Sequence, residues 1–248
     1  MTKRNQKTVV DTGWDKKESV GRVVKDEDHS YVKPPIQAKT QFQIELIKAL
    51  KSSQIIVVDA PAGVGKSFVT MSEVSDWVKK GHYNKIYLSR PAVGMGNTLG
   101  MLKGDLRSKY EPFLLPLVDV LCDRYGKGFY ESSLENGVIE YCPLEYIRGR
   151  NIASVAIADE FQNVKPSEAY TLVTRVAQGG KLICIGDSTQ TDISGKTGLE
   201  WLYEFVERHN LQEHVSIIRA TSDDIVRGDW CKEAVKAMES DRKNGIKF

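Results

Sequence analysis

The stretch that most narrows what this chain can become is Asp59-Ala60-Pro61-Ala62-Gly63-Val64-Gly65-Lys66-Ser67. It stands directly behind the apolar run Ile55-Ile56-Val57-Val58 and ahead of a helical pattern, Phe68 to Lys79. Strand, glycine-bearing loop, lysine with a hydroxyl residue, and helix make up a Walker A sequence in its proper setting. The glycines matter because a polyphosphate needs a concave set of backbone N–H donors. Gly63 and Gly65 can supply them by adopting conformations and close approaches that a Cβ blocks. The helix behind the loop adds its unpaired N–H groups and the positive end of its dipole. Ala60, Pro61, Ala62, Gly63, Val64, Gly65, Lys66, Ser67 and Phe68 are therefore the candidate ATP-binding residues. Lys66 would reach the β and γ phosphates, and the Ser67 hydroxyl would bind Mg²⁺. Ala60 fills the first position of the pattern, where glycine is usual.

A loop of this kind needs a second element, since Ser67 alone cannot hold a metal. Val155-Ala156-Ile157-Ala158-Asp159-Glu160 is an apolar strand ending in two carboxylates, as a Walker B segment does. Asp159 is the candidate metal residue, and Glu160 is the candidate to orient or deprotonate an attacking water. A third strand, Leu182-Ile183-Cys184-Ile185, delivers Gly186-Asp187-Ser188-Thr189-Gln190 to a carboxyl edge, where open α/β sheets bind ligands. There Gln190 can sense a γ-phosphate through its amide, with Asp187 holding the loop; Gly-Asp-Ser-Thr is also ordinary turn chemistry.

Between these segments short, nearly continuous apolar runs alternate with helical patterns. Strands are expected at Lys85 to Leu88, Val138 to Cys142 and His214 to Ile218. Helices are expected at Gln37 to Leu50, Pro166 to Ala177, Leu199 to His209 and Ser222 to Lys243, the last capped by Ser222 or Asp223. The stretch after Leu88 reads as a longer connection. Strands buried on both faces imply an α/β fold, a three-layer αβα sandwich around a mostly parallel sheet. Residues 1–33 mix charges with few aliphatic side chains and are expected to be a mobile tail, leaving 34–248 as a single domain.

Composition excludes several classes. The chain has 248 residues, 35 basic against 33 acidic, for a formal charge of +2, so any polynucleotide contact must come from a local patch. No apolar run reaches the roughly 18 residues of a membrane span. The four cysteines lie far apart with no Cys-x-x-Cys pair, consistent with free thiols in a reducing cytoplasm.

Several segments in order resemble the PhoH-like ATPases, a family with a RecA-like core similar to superfamily 1 helicases. They are Ala60 to Ser67, Ser89-Arg90-Pro91-Ala92-Val93, Leu102-Lys103-Gly104-Asp105-Leu106, Tyr146-Ile147-Arg148-Gly149-Arg150, Asp159-Glu160-Phe161-Gln162-Asn163, Gly186 to Gln190, and Thr221 to Arg227. The resemblance implies roles that spacing does not show. Gln43 resembles the glutamine with which helicase-like cores hold adenine; without the family it reads as a surface helix residue. Arg227 resembles an arginine that stabilises γ-phosphate charge, the bland alternative being a salt bridge to Asp223 or Asp224 on one helix. Arg90, Arg148 and Arg150 resemble positions lining a nucleic-acid or nucleotide edge. Phe161 stands where the family generally has alanine, a matter of packing beneath the site. Superfamily 1 helicases place ATP between two tandem domains, and one domain here implies that a second wall comes from another subunit, hence a homo-oligomer such as a hexameric ring. The family also implies ATP hydrolysis coupled to single-stranded RNA or DNA. The near-neutral charge and the absence of an obvious RNA-binding module suggest the alternative of a nucleotide-dependent switch or assembly protein acting on a protein partner.

Overall fold

The computed structural model describes residues 33–91, 106–147 and 149–246. The expected tail, apart from Lys33, and the candidate Arg148 lie outside the described residues. In chain order the elements are α1 (Gln41–Ser52), β1 (Ile55–Asp59), α2 (Lys66–Lys79), β2 (Ile86–Ser89), α3 (Leu106–Glu135), β3 (Ile139–Tyr141), α4 (Leu144–Ile147), β4 (Val155–Ala158), α5 (Pro166–Val173), β5 (Lys181–Gly186), α6 (Gly198–Arg208), β6 (Val215–Arg219) and α7 (Asp229–Lys243). Single 3₁₀ turns occupy Phe161–Asn163 and Ser222–Asp224.

The strands form one sheet in the order β3-β2-β4-β5-β1-β6, and every pairing among them is parallel. Parallel strands need crossover connections, which the helices supply, and this buries both faces of the sheet. Alternate side chains then serve two separate cores. Ile56, Val58, Ile157, Ile183 and Ile185 pack with Leu46, Val69, Met71 and Leu117 from α1, α2 and α3. Val57, Ala156, Ala158, Leu182 and Cys184 pack with Leu144, Leu172, Leu199 and Leu202 from α4, α5 and α6. These are the two outer layers of an αβα sandwich. Because strands point side chains to opposite faces with period two, the first residues past β4 and β5, Asp159 and Asp187, continue on the α2 side, where the phosphate-loop sequence lies.

Three expectations are corrected. The connection after β2 contains α3, whose Pro112 and Pro116 disguise it in the sequence and whose path breaks at Gly126 (φ 83°). The helix expected from Ser222 begins only at Asp229. Thr221 caps a single 3₁₀ turn, and Ile225 to Gly228 runs outside any helix against the loop after β1. The helix from Pro166 ends at Val173 instead of Ala177, since Val176 bridges to Ile152. No helix of the described residues is long and apolar enough to cross a membrane.

Candidate functional site

The turn from β1 into α2 takes the form its sequence demands. Gly63 and Gly65 both have φ of 88°, left-handed geometry that an ordinary side chain resists, and Gly65 forms the N-cap of α2. The Ala60 N–H donates to the Gly186 carbonyl of β5 at 3.0 Å, and the Ser188 N–H donates to the Asp59 carboxylate at 2.8 Å, so the end of β5 holds the loop's root through two bonds. Lys66 folds back, its Nζ donating to the carbonyls of Ala60 at 3.0 Å and Pro61 at 3.2 Å. Phe68, one turn on, is exposed.

Gln43 is not a surface residue. It is 4% exposed; its Oε1 accepts from the Lys39 N–H at 2.8 Å and its Nε2 donates to the Val64 carbonyl at 2.9 Å. A Cβ on Gly65 would lie 2.9 Å from that same Nε2. The amide therefore braces the loop with its Nε2 end and ties it, through Oε1, to the segment that precedes α1.

The end of β4 supplies the carboxylates. Asp159 is 4% exposed, and burial pushes its carboxyl up to about 6; Glu160 alongside adds to the rise, while Arg90 and Lys66 oppose it. Glu160 holds a left-handed backbone (φ 52°, ψ 42°), uncommon for a residue with a side chain and a form of strain found at functional sites. Its Oε1 lies 3.2 Å from Nη2 of Arg90, and its Oε2 accepts from Gln162 Nε2 at 2.6 Å. Phe161 is fully buried in the second core beneath. As a ligand set, Ser67 and Asp159 offer hard oxygen donors, and a desolvated carboxylate beside a second carboxylate suits Mg²⁺.

The loop after β5 is organised by Asp187, which accepts from the Thr189 N–H at 3.0 Å, the Thr189 hydroxyl at 2.6 Å and the Gln190 amide at 2.7 Å. Gln190 itself is exposed. Sequence reasoning assigned no role to Gln162, which is 1% exposed and joins β4 to this loop. Its Oε1 accepts from the Asp187 N–H at 3.1 Å, and its Nε2 also donates to the Gln190 carbonyl at 3.2 Å. Asn163 repeats the pattern with Asp192. The signal available was the pair of amides directly behind Asp159-Glu160.

The C-terminal segment closes one flank. The Val226 N–H donates to the Gly63 carbonyl at 3.0 Å, and Cys231 lies against Ala62. Arg227 is exposed, and its Cβ is 3.2 Å from where a Cβ on Gly63 would stand. Asp223 pairs with Lys232 and Lys236, and Asp223, Asp224 and Arg227 share no helix, so the alternative of a same-helix salt bridge to Arg227 is absent among the described residues. Arg90 and Arg150 do not form one edge. Arg150 pairs with Glu140 on the edge strand β3, whereas Arg90 is turned inward to Glu160.

A parallel sheet whose β1 feeds a glycine loop and helix, with two carboxylates ending a strand two places away, defines a P-loop NTPase fold. The chain belongs to the PhoH-like protein family, which matches residues 35–239. The PhoH-like protein of Bacillus subtilis (strain 168) is 36% identical over 207 residues, covering 82% of this chain and 64% of that protein. Protein PhoH of Escherichia coli (strain K12) is 32% identical over 206 residues, covering 82% of this chain and 58% of its own length. The chain thus spans less than two thirds of these curated relatives. Among solved structures, the large terminase of a thermophilic bacteriophage superposes with a TM-score of 0.51 at 15% identity, over 81% of this chain and 48% of the terminase, a likeness of fold alone.

Proposed function

We propose that the chain binds ATP with Mg²⁺ and hydrolyses it. The observation that carries this is the juxtaposition of a loop with two left-handed glycines, at the end of β1, with Asp159 and Glu160, at the end of β4. Lys66 leaves the carbonyls of Ala60 and Pro61 for the β and γ phosphates, whose remaining oxygens take the backbone N–H groups of Gly63 to Ser67. Ser67 and Asp159 would hold the metal, which when bound screens phosphate charge. Glu160 accepts a proton from the water that adds to the γ-phosphorus as the bond to the ADP oxygen breaks. Gln190 reports on the γ-phosphate, and Arg227, exposed beside Gly63, contributes positive charge to it from its own subunit or a neighbour.

A homo-oligomer, in the ring form expected from the sequence, is part of this proposal. Supporting it, α7 buries none of its residues, and Trp230, 81% exposed, stands next to the segment that flanks the loop. Coupling to single-stranded RNA or DNA is the companion proposal, supported by the family, and a cytoplasmic setting is supported by the free thiols. The same exposed α7 favours the second reading, a nucleotide switch whose partner is a protein.

Calorimetry with Mg²⁺ and ATP, together with a phosphate-release assay, tests the first proposal; no heat and no phosphate would end it. Titrating single-stranded RNA and DNA into the assay separates the two couplings. Stimulation that weakens with salt supports nucleic acid, and a flat response supports the switch.

A further inference from the structure

Arg90 carries a function that a surface arginine at a nucleic-acid edge would not. Its guanidinium spans two elements: Nη1 donates to the Phe113 carbonyl of α3 at 2.8 Å, and Nη2 faces Glu160 at 3.2 Å. Its backbone is held as well. The Arg90 N–H donates to the Tyr110 hydroxyl at 2.5 Å, and that hydroxyl donates to the Arg90 carbonyl at 2.6 Å. Tyr110 is fully buried, so the anchor is part of the core and not a surface contact. Three hydrogen bonds thus tie Arg90 to the N-terminal part of α3, and a fourth contact ties it to Glu160.

The direction of that last contact follows from the strand order. β4 lies between β2, which delivers Arg90, and β5, beyond which lie β1 and the phosphate loop. Arg90 therefore draws one Glu160 oxygen toward β2, away from the loop, while Gln162 holds the other toward the β5 turn. Both oxygens are engaged while the backbone beneath them sits in a strained left-handed conformation. A carboxylate that is to take a proton from water near the loop must turn, and turning it breaks the contact with Arg90.

We propose that Arg90 is a positioning residue that clamps Glu160 in the resting chain, and that displacement of the N-terminal part of α3 releases it. The clamp rests on the reading of Glu160 as the proton acceptor. Unlike an arginine that only contacts a polynucleotide, it acts in the absence of any nucleic acid and transmits through Tyr110, which is fully buried.

The test measures steady-state ATP turnover of the full chain without polynucleotide for the wild type, Arg90→Gln, Arg90→Lys, Tyr110→Phe and Glu160→Gln, each checked for folding by its melting curve. Release of the clamp raises kcat at least threefold in Arg90→Gln with KM within twofold of wild type. Tyr110→Phe raises it in the same direction, and Arg90→Lys, which keeps the charge but cannot span Phe113 and Glu160 together, falls between. An Arg90→Gln kcat at or below wild type, with Tyr110→Phe silent, overturns the clamp. Should Arg90→Gln not fold, Tyr110→Phe alone decides by the same criterion. Undiminished turnover in Glu160→Gln would instead remove the proton-acceptor reading, whatever the arginine variants do.

Discussion

Val226 donates its backbone N–H to the carbonyl oxygen of Gly63 at 3.0 Å, so the segment between β6 and α7 is stitched to the turn that begins α2. Around this bond Ile225, Arg227 and Cys231 close on Gly63 so tightly that a Cβ there would stand 3.0 to 3.2 Å from their side chains. Gly63→Ala must pay twice, once for a left-handed φ of 88° and once for the crowding. The conformational part alone costs about 1–2 kcal/mol. The expected result is a melting temperature lower by several degrees and faster tryptic cleavage after Arg227; unchanged melting and cleavage would refute the tight packing.

Gln43 presents a choice between two roles with different readouts. As a brace, its loss leaves the Val64 carbonyl and the Lys39 N–H without their partners, which costs about 1–3 kcal/mol when such groups are buried. Gln43→Ala should then weaken binding of ATP and GTP by the same factor and lower the melting temperature. As an adenine reader, it would lose affinity for ATP and leave GTP untouched. The engagement of both ends of the amide favours the uniform loss, and competition binding with the two nucleotides checks it.

At the opposite end of the sheet, Lys181 begins β5 with its ammonium against the Ser53 carbonyl and 5.7 Å from the centre of the Trp77 ring. Burial lowers its pKa to about 8. The unfolded chain keeps the ordinary lysine value of about 10.4, so between these limits it binds more protons than the folded one, and the stability of the wild type rises with pH across that window. Below pH 8 the charge is carried in both states and the burial penalty is complete. Lys181→Met removes the penalty, so the variant should melt above wild type at about pH 7, with the gap narrowing by about pH 10. A gap independent of pH would show that the ammonium is not penalised.

What the sequence disclosed was whatever lies contiguous along the chain. The short apolar runs of the strands, the loop Ala60 to Ser67 and the pair Asp159-Glu160 each declare themselves within a single window, whereas the side of the sheet that Asp159 and Asp187 share with α2 follows from how the two cores are packed. Gln162 was illegible in its role because that role consists of contacts with Glu160, Asp187 and Gln190, two of them distant in sequence. The contacts of Arg90 were out of reach for a similar cause: the Phe113 carbonyl that takes its guanidinium lies on α3, a helix hidden by Pro112 and Pro116. The start of α7 shifted from Ser222 to Asp229 because Ile225 to Gly228 is committed to Gly63, a tertiary contact that overrides a passable helical pattern.

Lys66 and Glu160 should fail in different ways if the site works as proposed. Among the described residues the Lys66 ammonium hydrogen-bonds to two loop carbonyls, so Lys66→Ala disturbs little of the resting structure and should act on binding. ATP affinity is expected to fall at least tenfold, about 1.4 kcal/mol, with the melting temperature of the nucleotide-free chain nearly unchanged. Glu160→Gln keeps the size of the side chain and its contact with Gln162 but removes the proton acceptor. It should bind ATP as wild type does while turnover drops by roughly 10² to 10⁴, the usual contribution of a positioned acid or base. Calorimetric titration separates binding from a phosphate-release assay. A Glu160→Gln protein that loses both together would indicate that the carboxylate holds the site's structure instead of serving its chemistry.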